Sequence, residues 1–468
     1  MIPVVNPATR EVLAHVPDMR AEDADAIVRR AAAGTSWRKR TLLERIEVID
    51  QFLHLLQKDF EDLVLLLTRE TGKPIVDAEY EVKYAKEVFR VFKEAAPTAL
   101  MGVASPLDAQ FEKTSDYYLS RREPLGVVLA ILPFNDPGEL FAFKVAPALI
   151  TGNCVVVKPS REAPLTAMRL THLLHEAGVP ADALQCVTGM GGGLGDALVA
   201  HSSVDCVSFT GSTATGMHVY QSAAAHLARV ILELGGNDAL IVFPDADLEL
   251  AVEMTAAGRI DFAGQSCCAN KRMILHHEIA AEFTERLLEA LAARFPLGDP
   301  TERSTKLGPL ISSAAVERVA RAVTHTVEQG ARLALGGQRV DETFYEATVL
   351  TGVTPQMDVA CDLEIFGPVF PLIVADSDEE ALRIANQTSY GLNAAVFTRD
   401  IDRAFQFATQ LECGLVVING NPLYRPFIHG HGGIKLTGSG REGLRTSMEQ
   451  MTTEKGIAFR NVLRRSSE

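Results

Sequence analysis

From Gly126 onward the chain alternates short apolar runs with segments of helical periodicity, and this alternation restricts the fold more than any other feature. The runs fall at 127–132, 154–157, 184–187, 204–209 and 230–234, and some of the segments between them end at a glycine, as at Gly178. Strands separated by helices build a parallel sheet with helices on its faces. Ligands bind such sheets at the carboxyl ends of the strands, so function is to be sought there. After Leu234 a second alternating region runs through a helix at 278–293, a Gly336-Gly337 turn and a strand at 369–374 to the Gly-rich stretch 430–443. Its length suits a second α/β domain.

Residues 21–100 read as helical. Ile46, Ile49, Leu53, Leu56, Phe60, Leu63 and Leu67 recur at helical spacing and form a packing face, until Thr71-Gly72-Lys73-Pro74 interrupts the run. The Gly-Lys-Pro there is not a phosphate loop, because the upstream glycine is missing and Pro74 occupies the Ser/Thr position. Segments 117–120 and 456–459 lie outside both alternating blocks and read as strands that pair into an arm, a common route to oligomers.

A formal net charge of -15 without any basic stripe excludes nucleic acid and anionic membrane surfaces as partners. The N-terminus has no charged segment followed by an apolar one, and no apolar run approaches the length of a membrane span. The seven cysteines show no CxxC spacing, which fits neither a disulfide framework nor a zinc site. The expectation is a protein of the reducing cytoplasm without a metal.

Gly264-Gln265-Ser266-Cys267-Cys268-Ala269-Asn270-Lys271 places two thiols in a loop of small residues. A substrate can reach a thiol in such a loop, and a thiolate attacks electrophilic carbon. Inert packing explains a pair of cysteines equally well. Polar residues at the ends of the apolar runs raise the functional reading. Asn135 follows the first run and is able to donate to an oxyanion, or simply to make a turn. Lys158 follows the second and suits ribose hydroxyls, with Arg161 facing a phosphate; a solvated loop is the alternative. Glu233 ends the fifth, where apolar surroundings raise proton affinity and suit a general base, unless it serves a salt bridge. Glu364 repeats the theme two residues before Phe366 and ahead of Gly367-Pro368. In 209–216 the amides and the Ser212 hydroxyl suit a phosphate at a helix start, or an ordinary cap. The glycine cluster 189–195 fits no register of GxGxxG and reads as a flexible turn.

ETGKP at 70–74, PFN at 133–135, VVKPS at 156–160, FTGS at 209–212, LELGG at 232–236, GQSC at 264–267, EIFGPV at 364–369 and GGIKLTGSGREG at 432–443 together resemble the aldehyde dehydrogenase superfamily over nearly the whole chain. The resemblance implies an α/β fold with a Rossmann-like parallel-sheet cofactor domain (1–104 and 123–234) and a second α/β catalytic domain (235–435). A small β oligomerisation arm and C-terminal tail (105–122 and 436–468) complete it. It implies Cys267 as nucleophile, Glu233 as the base that activates water, and Asn135 with the Cys267 N–H as oxyanion donors; Cys268 is a neighbour without a role. Lys158 and Glu364 would hold ribose hydroxyls, Ser212 the pyrophosphate and Phe366 the nicotinamide end, with Ser160, Arg161 and Gly211 completing the cofactor side. The implied reaction converts an aldehyde through a thiohemiacetal and a thioester on Cys267 to the carboxylic acid, with hydride passing to NAD(P). A homodimer or homotetramer is expected.

Departures from the usual pattern carry further expectations. Phe134 replaces the common Trp before the catalytic Asn, and Asn237 the Lys after LELGG. Arg161 stands where NAD users frequently have Glu; its charge pairs with a 2'-phosphate and favours NADP, although Glu162 is adjacent. On the substrate side stand Ser266, Asp136 and Arg425. Asp136, if it faces the pocket, disfavours anionic aldehydes and tolerates hydroxylated or cationic ones, while Arg425, His429 and His431 push the other way. The looser resemblance is to members acting on small polar aldehydes such as lactaldehyde, glycolaldehyde, semialdehydes or phosphono-aldehydes. An acylating, coenzyme A-dependent enzyme ranks below this because Glu233 is present. A non-redox thiol hydrolase, with His276 or His277 as partner, leaves the cofactor motifs idle. A non-catalytic descendant has no need for Cys267, Glu233 and Asn135 together.

Overall fold

The computed structural model describes residues 1–106 and 116–460; the rest of the expected arm and tail, 107–115 and 461–468, lies outside the described residues. Each of the five apolar runs is a strand: Val127–Ile131, Cys154–Lys158, Leu184–Cys186, Cys206–Thr210 and Arg229–Glu233. They form a parallel sheet in which Val127–Ile131 lies between Cys154–Lys158 and Cys206–Thr210, with Leu184–Cys186 and Arg229–Glu233 outside them. The chain therefore builds outward on one side and returns to the other, which leaves a crevice at the carboxyl ends of Val127–Ile131 and Cys206–Thr210. A short antiparallel strand, Gly438–Ser439, closes the Arg229–Glu233 edge. Helices Leu42–Lys58, Ile75–Ala99, Pro137–Ile150 and Leu165–Glu176 share one core with this sheet. Covered on both faces, its strands read as continuous rather than alternating apolar runs.

The second block forms a seven-stranded sheet, ordered Arg332–Leu335, Thr348–Val353, Val369–Ala375, Arg272–His276, Ala239–Val242, Asn393–Phe397 and Leu415–Ile418. All neighbours are parallel except the Arg332–Leu335 edge, and the sheet has its own core. Tyr117–Pro124 pairs antiparallel with Thr452–Phe459 and with Ala104–Pro106; Gly456 lies opposite Ser120 and Phe459 opposite Tyr117. No helix among the described residues is long and apolar enough to cross a membrane.

Two local expectations need correction. The glycine cluster is not a flexible turn but opens the helix Gly191–Val199. Each interior glycine costs about 0.5–1 kcal/mol relative to Ala. Buried Leu194, Leu198 and Val199 each return about 1.5–3 kcal/mol, so burial wins. The helical run ending at Thr71 is two helices, Leu42–Lys58 and Phe60–Thr71, broken at Asp59, whose carboxylate accepts from Arg169 Nε at 2.8 Å. Within 436–451, placed by sequence with the tail, Met448 and Met451 pack in the first core.

Candidate active site

The loop carrying Cys267 leaves helix Leu248–Ile260 through a strained turn. Phe262, Ala263 and Gly264 have φ of 41°, 54° and 71°, three left-handed residues in succession. For the two non-glycine residues this costs of the order of 1–3 kcal/mol each and persists only where the surroundings overdetermine it. At Gly264 any Cβ would overlap the Gly367 carbonyl, so the loop is pressed against the segment bearing Glu364 and Phe366. Fully buried Gln265 locks the turn, donating to the Phe262 carbonyl at 3.2 Å and accepting from the Ile311 N–H at 2.9 Å.

Beyond this turn Ser266, Cys267 and Cys268 line a cavity of about 660 Å³ together with Asp136, Glu233 and Arg425. Cys267 Sγ lies 3.6 Å from Cys268 Sγ, which in turn lies 3.6 Å from His431 Nε2. The hydrogen bond with Cys267, followed by burial, pushes the Cys268 thiol well above its usual range, so its proton stays available to its neighbour. Burial and the nearby Arg425 and Arg441 hold His431 well below the ordinary imidazole value, leaving it neutral. His276 and His277, nearest to the cysteines in sequence, do not line the cavity; the imidazole that reaches it is His431. The Cys267 carbonyl accepts from Lys271 Nζ at 2.6 Å, and Lys271 pairs with Glu364 at 3.3 Å, tying the thiol loop to the cofactor-side glutamate.

Glu233 is the last residue of its strand, and only 4% of it is exposed. Neither carboxylate oxygen has a hydrogen-bond partner among the described residues. Burial, then the neighbouring Glu442, push its proton affinity well above the carboxylate range against the opposing charges of Arg425 and Lys144. An unpartnered carboxyl of this kind accepts a proton from water once it is ionised. A Cβ on Gly432 (φ 143°) would lie 2.6 Å from Glu233 Oε1, so this glycine leaves the carboxylate its space.

Asn135 is buried, and its amide donates to Asp136 Oδ2 at 2.6 Å. Asp136 Oδ1 accepts from Lys73 Nζ at 2.6 Å, and Lys73 also pairs with Glu81. Arg425 is held by Glu139 at 3.1 Å and Glu442 at 3.3 Å, and its guanidinium lies 3.6 Å from the centroid of the Phe143 ring. The Cys267 N–H donates to no protein acceptor among the described residues.

On the cofactor side, Lys158 ends its strand 6% exposed, and its ammonium makes no hydrogen bond among the described residues. Burial lowers its proton affinity, only partly offset by the charge of Glu162. A buried, unbonded ammonium at a strand end beside the crevice fits vicinal ribose hydroxyls. Gly211 follows Cys206–Thr210, its N–H donating to the Glu233 carbonyl at 3.1 Å. Ser212 caps the twelve-residue helix Thr213–Ala224, so the cap and the phosphate site occupy the same residue. Ser160 bonds Glu162, and exposed Arg161 pairs with the same carboxylate at 2.7 Å. Phe366 meets Phe134 edge to face at 6.1 Å between centroids. This donor set fits a nicotinamide dinucleotide.

Sequence reading missed Asp77, Tyr80, Glu81 and Tyr84, which line the cavity from helix Ile75–Ala99. Their spacing of i, i+3, i+4 and i+7 is a polar and aromatic helix face, a signal present in the sequence. Lys73, Glu139, Asp261 and Glu442 also line the cavity, and Lys144 pairs with Glu442 in full burial. Lys73 and Glu442 stand inside the ETGKP and GREG motifs, where no role is read for them, and Glu139 and Asp261 carry no local signal.

A family model described as "Aldehyde dehydrogenase family" matches residues 1–457. Mitochondrial succinate-semialdehyde dehydrogenase of Arabidopsis thaliana is 39% identical over 99% of this chain and 87% of its own length. The 3-sulfolactaldehyde dehydrogenase of Pseudomonas putida is 37% identical over 98% of this chain and 93% of its own. Among solved structures, glyceraldehyde-3-phosphate dehydrogenase of Methanocaldococcus jannaschii complexed with NADP is similar with a TM-score of 0.92 and 33% identity, covering 98% of this chain and 99% of that one.

Proposed function

The chain belongs to the aldehyde dehydrogenase family, oxidising aldehydes to carboxylic acids with NAD(P), and we propose that it acts on small polar aldehydes with Cys267 as the nucleophile. The observation that carries this reading is the shared cavity: a loop thiol and a buried carboxyl with no partner for either oxygen face the same space. Attack of the Cys267 thiolate on the carbonyl carbon forms a C–S bond and an oxyanion. The Asn135 amide and the Cys267 N–H stabilise that charge, each donor being preorganised before substrate arrives. When bound, NAD(P) supplies the hydride acceptor. Lys158 and Glu364 hold its ribose hydroxyls, Ser160, Gly211 and Ser212 its phosphates, and Phe366 its nicotinamide end. Glu233 then takes a proton from the water that cleaves the Cys267 thioester, releasing the acid.

Arg161 supports NADP over NAD, since it can exchange Glu162 for a 2'-phosphate. We divide the chain into a cofactor domain (1–104 and 123–234), a catalytic domain (235–435) and an arm. Exposed Tyr117, Leu119 and Phe459 on the three-stranded sheet support assembly of two or four copies through that arm. Seven free cysteines support a reducing, cytoplasmic setting. The test is reduction of NAD and NADP by purified protein, followed by absorbance, with wild type and Cys267→Ala. Turnover of small polar aldehydes that vanishes in the variant supports the reading; undiminished activity of Cys267→Ala removes the nucleophile.

A further inference from the structure

The charge of the cavity is not that expected for an anionic substrate. Among the described residues two cations line it, Lys73 and Arg425, against seven carboxyl groups. Both cations are already engaged, Lys73 by Glu81 and Asp136, Arg425 by Glu139 and Glu442. His431 is neutral. Arg425 and His431 thus present no free positive charge to an anionic aldehyde.

Two of the carboxyl groups stand outside any ion pair. Asp77 on helix Ile75–Ala99, which accepts from the Phe262 N–H, and Asp261 at the start of the strained turn face the cavity, and neither has an ion-pair partner among the described residues. A wall of rings stands with them: Tyr80 stacks on Tyr84 at 5.8 Å and Tyr84 on Phe427 at 5.1 Å between centroids. Tyr80 and Tyr424 are 66% and 62% exposed, which puts them at the mouth. Nδ1 of His431, a residue 3% exposed, and both oxygens of Glu233 have no protein partner among the described residues. Ring faces and unpaired carboxylates are both attractive to a cation and repel an anion.

We propose that the aldehydes this chain oxidises carry a cationic nitrogen, seated between Asp77, Asp261 and the Tyr80–Tyr84–Phe427 wall while the carbonyl meets Cys267. The proposal rests on the function given above and names its substrate class. Burial and then Asp77 push Asp261 up to about 7, against the charge of Lys73 and together with Asp136 and Glu81. Burial also raises Asp77, opposed by Lys73 and Lys306. Asp261 therefore gains its charge as pH rises through about 7, which strengthens its attraction for a cation. KM for a cationic aldehyde accordingly falls as pH rises from 6 to 8, whereas KM for a neutral one does not follow.

The experiment compares 4-(trimethylammonio)butanal, pentanal and succinic semialdehyde with wild-type enzyme and saturating NAD or NADP. Expected is a kcat/KM for the cation at least tenfold above pentanal, with succinic semialdehyde the poorest. Asp261→Asn lowers the ratio of cation to pentanal kcat/KM at least tenfold, chiefly through KM. Tetramethylammonium competes with the cationic aldehyde in the wild type, a readout independent of any variant. Preference for succinic semialdehyde, or an unchanged ratio in Asp261→Asn that still oxidises pentanal, overturns the cationic class and leaves the aldehyde dehydrogenase reading intact. Failure of all three aldehydes with both cofactors overturns the small-aldehyde reading on which it rests.

Discussion

Asn135 is held by the residue that follows it: its amide donates 2.6 Å to one oxygen of Asp136, while Lys73 occupies the other at 2.6 Å. One amide hydrogen is thereby fixed, and the second has a defined direction before substrate binds. Asn135→Ala is expected to lower kcat by about 10²–10³-fold, as loss of an oxyanion donor does. Asp136→Ala retains the donor but releases its orientation, and is expected to lower kcat by up to about 10²-fold. Steady-state kinetics on one aldehyde distinguish the two, and a kcat unchanged in both would remove Asn135 from the oxyanion site.

Glu233 carries a proton affinity well above the carboxylate range because of its burial and of Glu442. It therefore gains its charge at a higher pH than an ordinary carboxyl does. Hydrolysis of the Cys267 thioester is expected to accelerate with rising pH in the wild type. Glu233→Gln should release about one equivalent of reduced cofactor in a burst, then turn over slowly and without that pH dependence. Stopped-flow absorbance across pH reads both.

Gly432 leaves room for Glu233, since a Cβ there would stand 2.6 Å from Oε1. Gly432→Ala adds the strain of a φ of 143°. The expected result is a loss in kcat of about 10²-fold from displacement of the base, with cofactor affinity retained. Fluorescence titration of reduced cofactor checks the second half.

Arg161 pairs with Glu162 at 2.7 Å and is exposed in the loop that follows Cys154–Lys158. A charged hydrogen bond to a 2'-phosphate is worth about 1.5–3 kcal/mol, or roughly a ten- to hundredfold change. Arg161→Glu is expected to raise KM for NADP by that factor and to leave KM for NAD within about twofold. Equal effects on both cofactors would remove Arg161 from NADP selection.

Lys144 and Glu442 form a fully buried ion pair, with Lys144 also donating to Ser208 Oγ at 3.2 Å. Burial pushes Glu442 up, but Lys144 and Arg425 outweigh it and keep the carboxylate charged. Lys144→Met strands that charge and is expected to cost about 3–5 kcal/mol, read as a lower midpoint in urea at unchanged slope.

The strands were legible because their signal is local. A run such as Val155-Val156-Val157 between helical segments is apolar throughout only when both faces are covered. The antiparallel pairing of 117–120 with 456–459 was legible as strand pattern. The helix Gly191–Val199 was not, since its glycines argue for a turn and only Leu194 and Leu198 meeting the first core outweigh them.

The motifs likewise marked Lys158 and Glu233 at strand ends, Asn135 in the loop after a strand, and the Cys267 loop. Their order along the chain determined the family and the reaction. The electrical state of the cavity was decided in three dimensions. Arg425 reads as a free cation in the sequence, yet Glu139, 286 residues away, and Glu442, 17 away, neutralise it. Asp77 and Asp261, 184 positions apart by their numbers, line one cavity, neither of them in an ion pair among the described residues. Periodicity is a property of neighbours along the chain, whereas charge balance depends on burial and on partners that only the folded chain brings within a few ångströms.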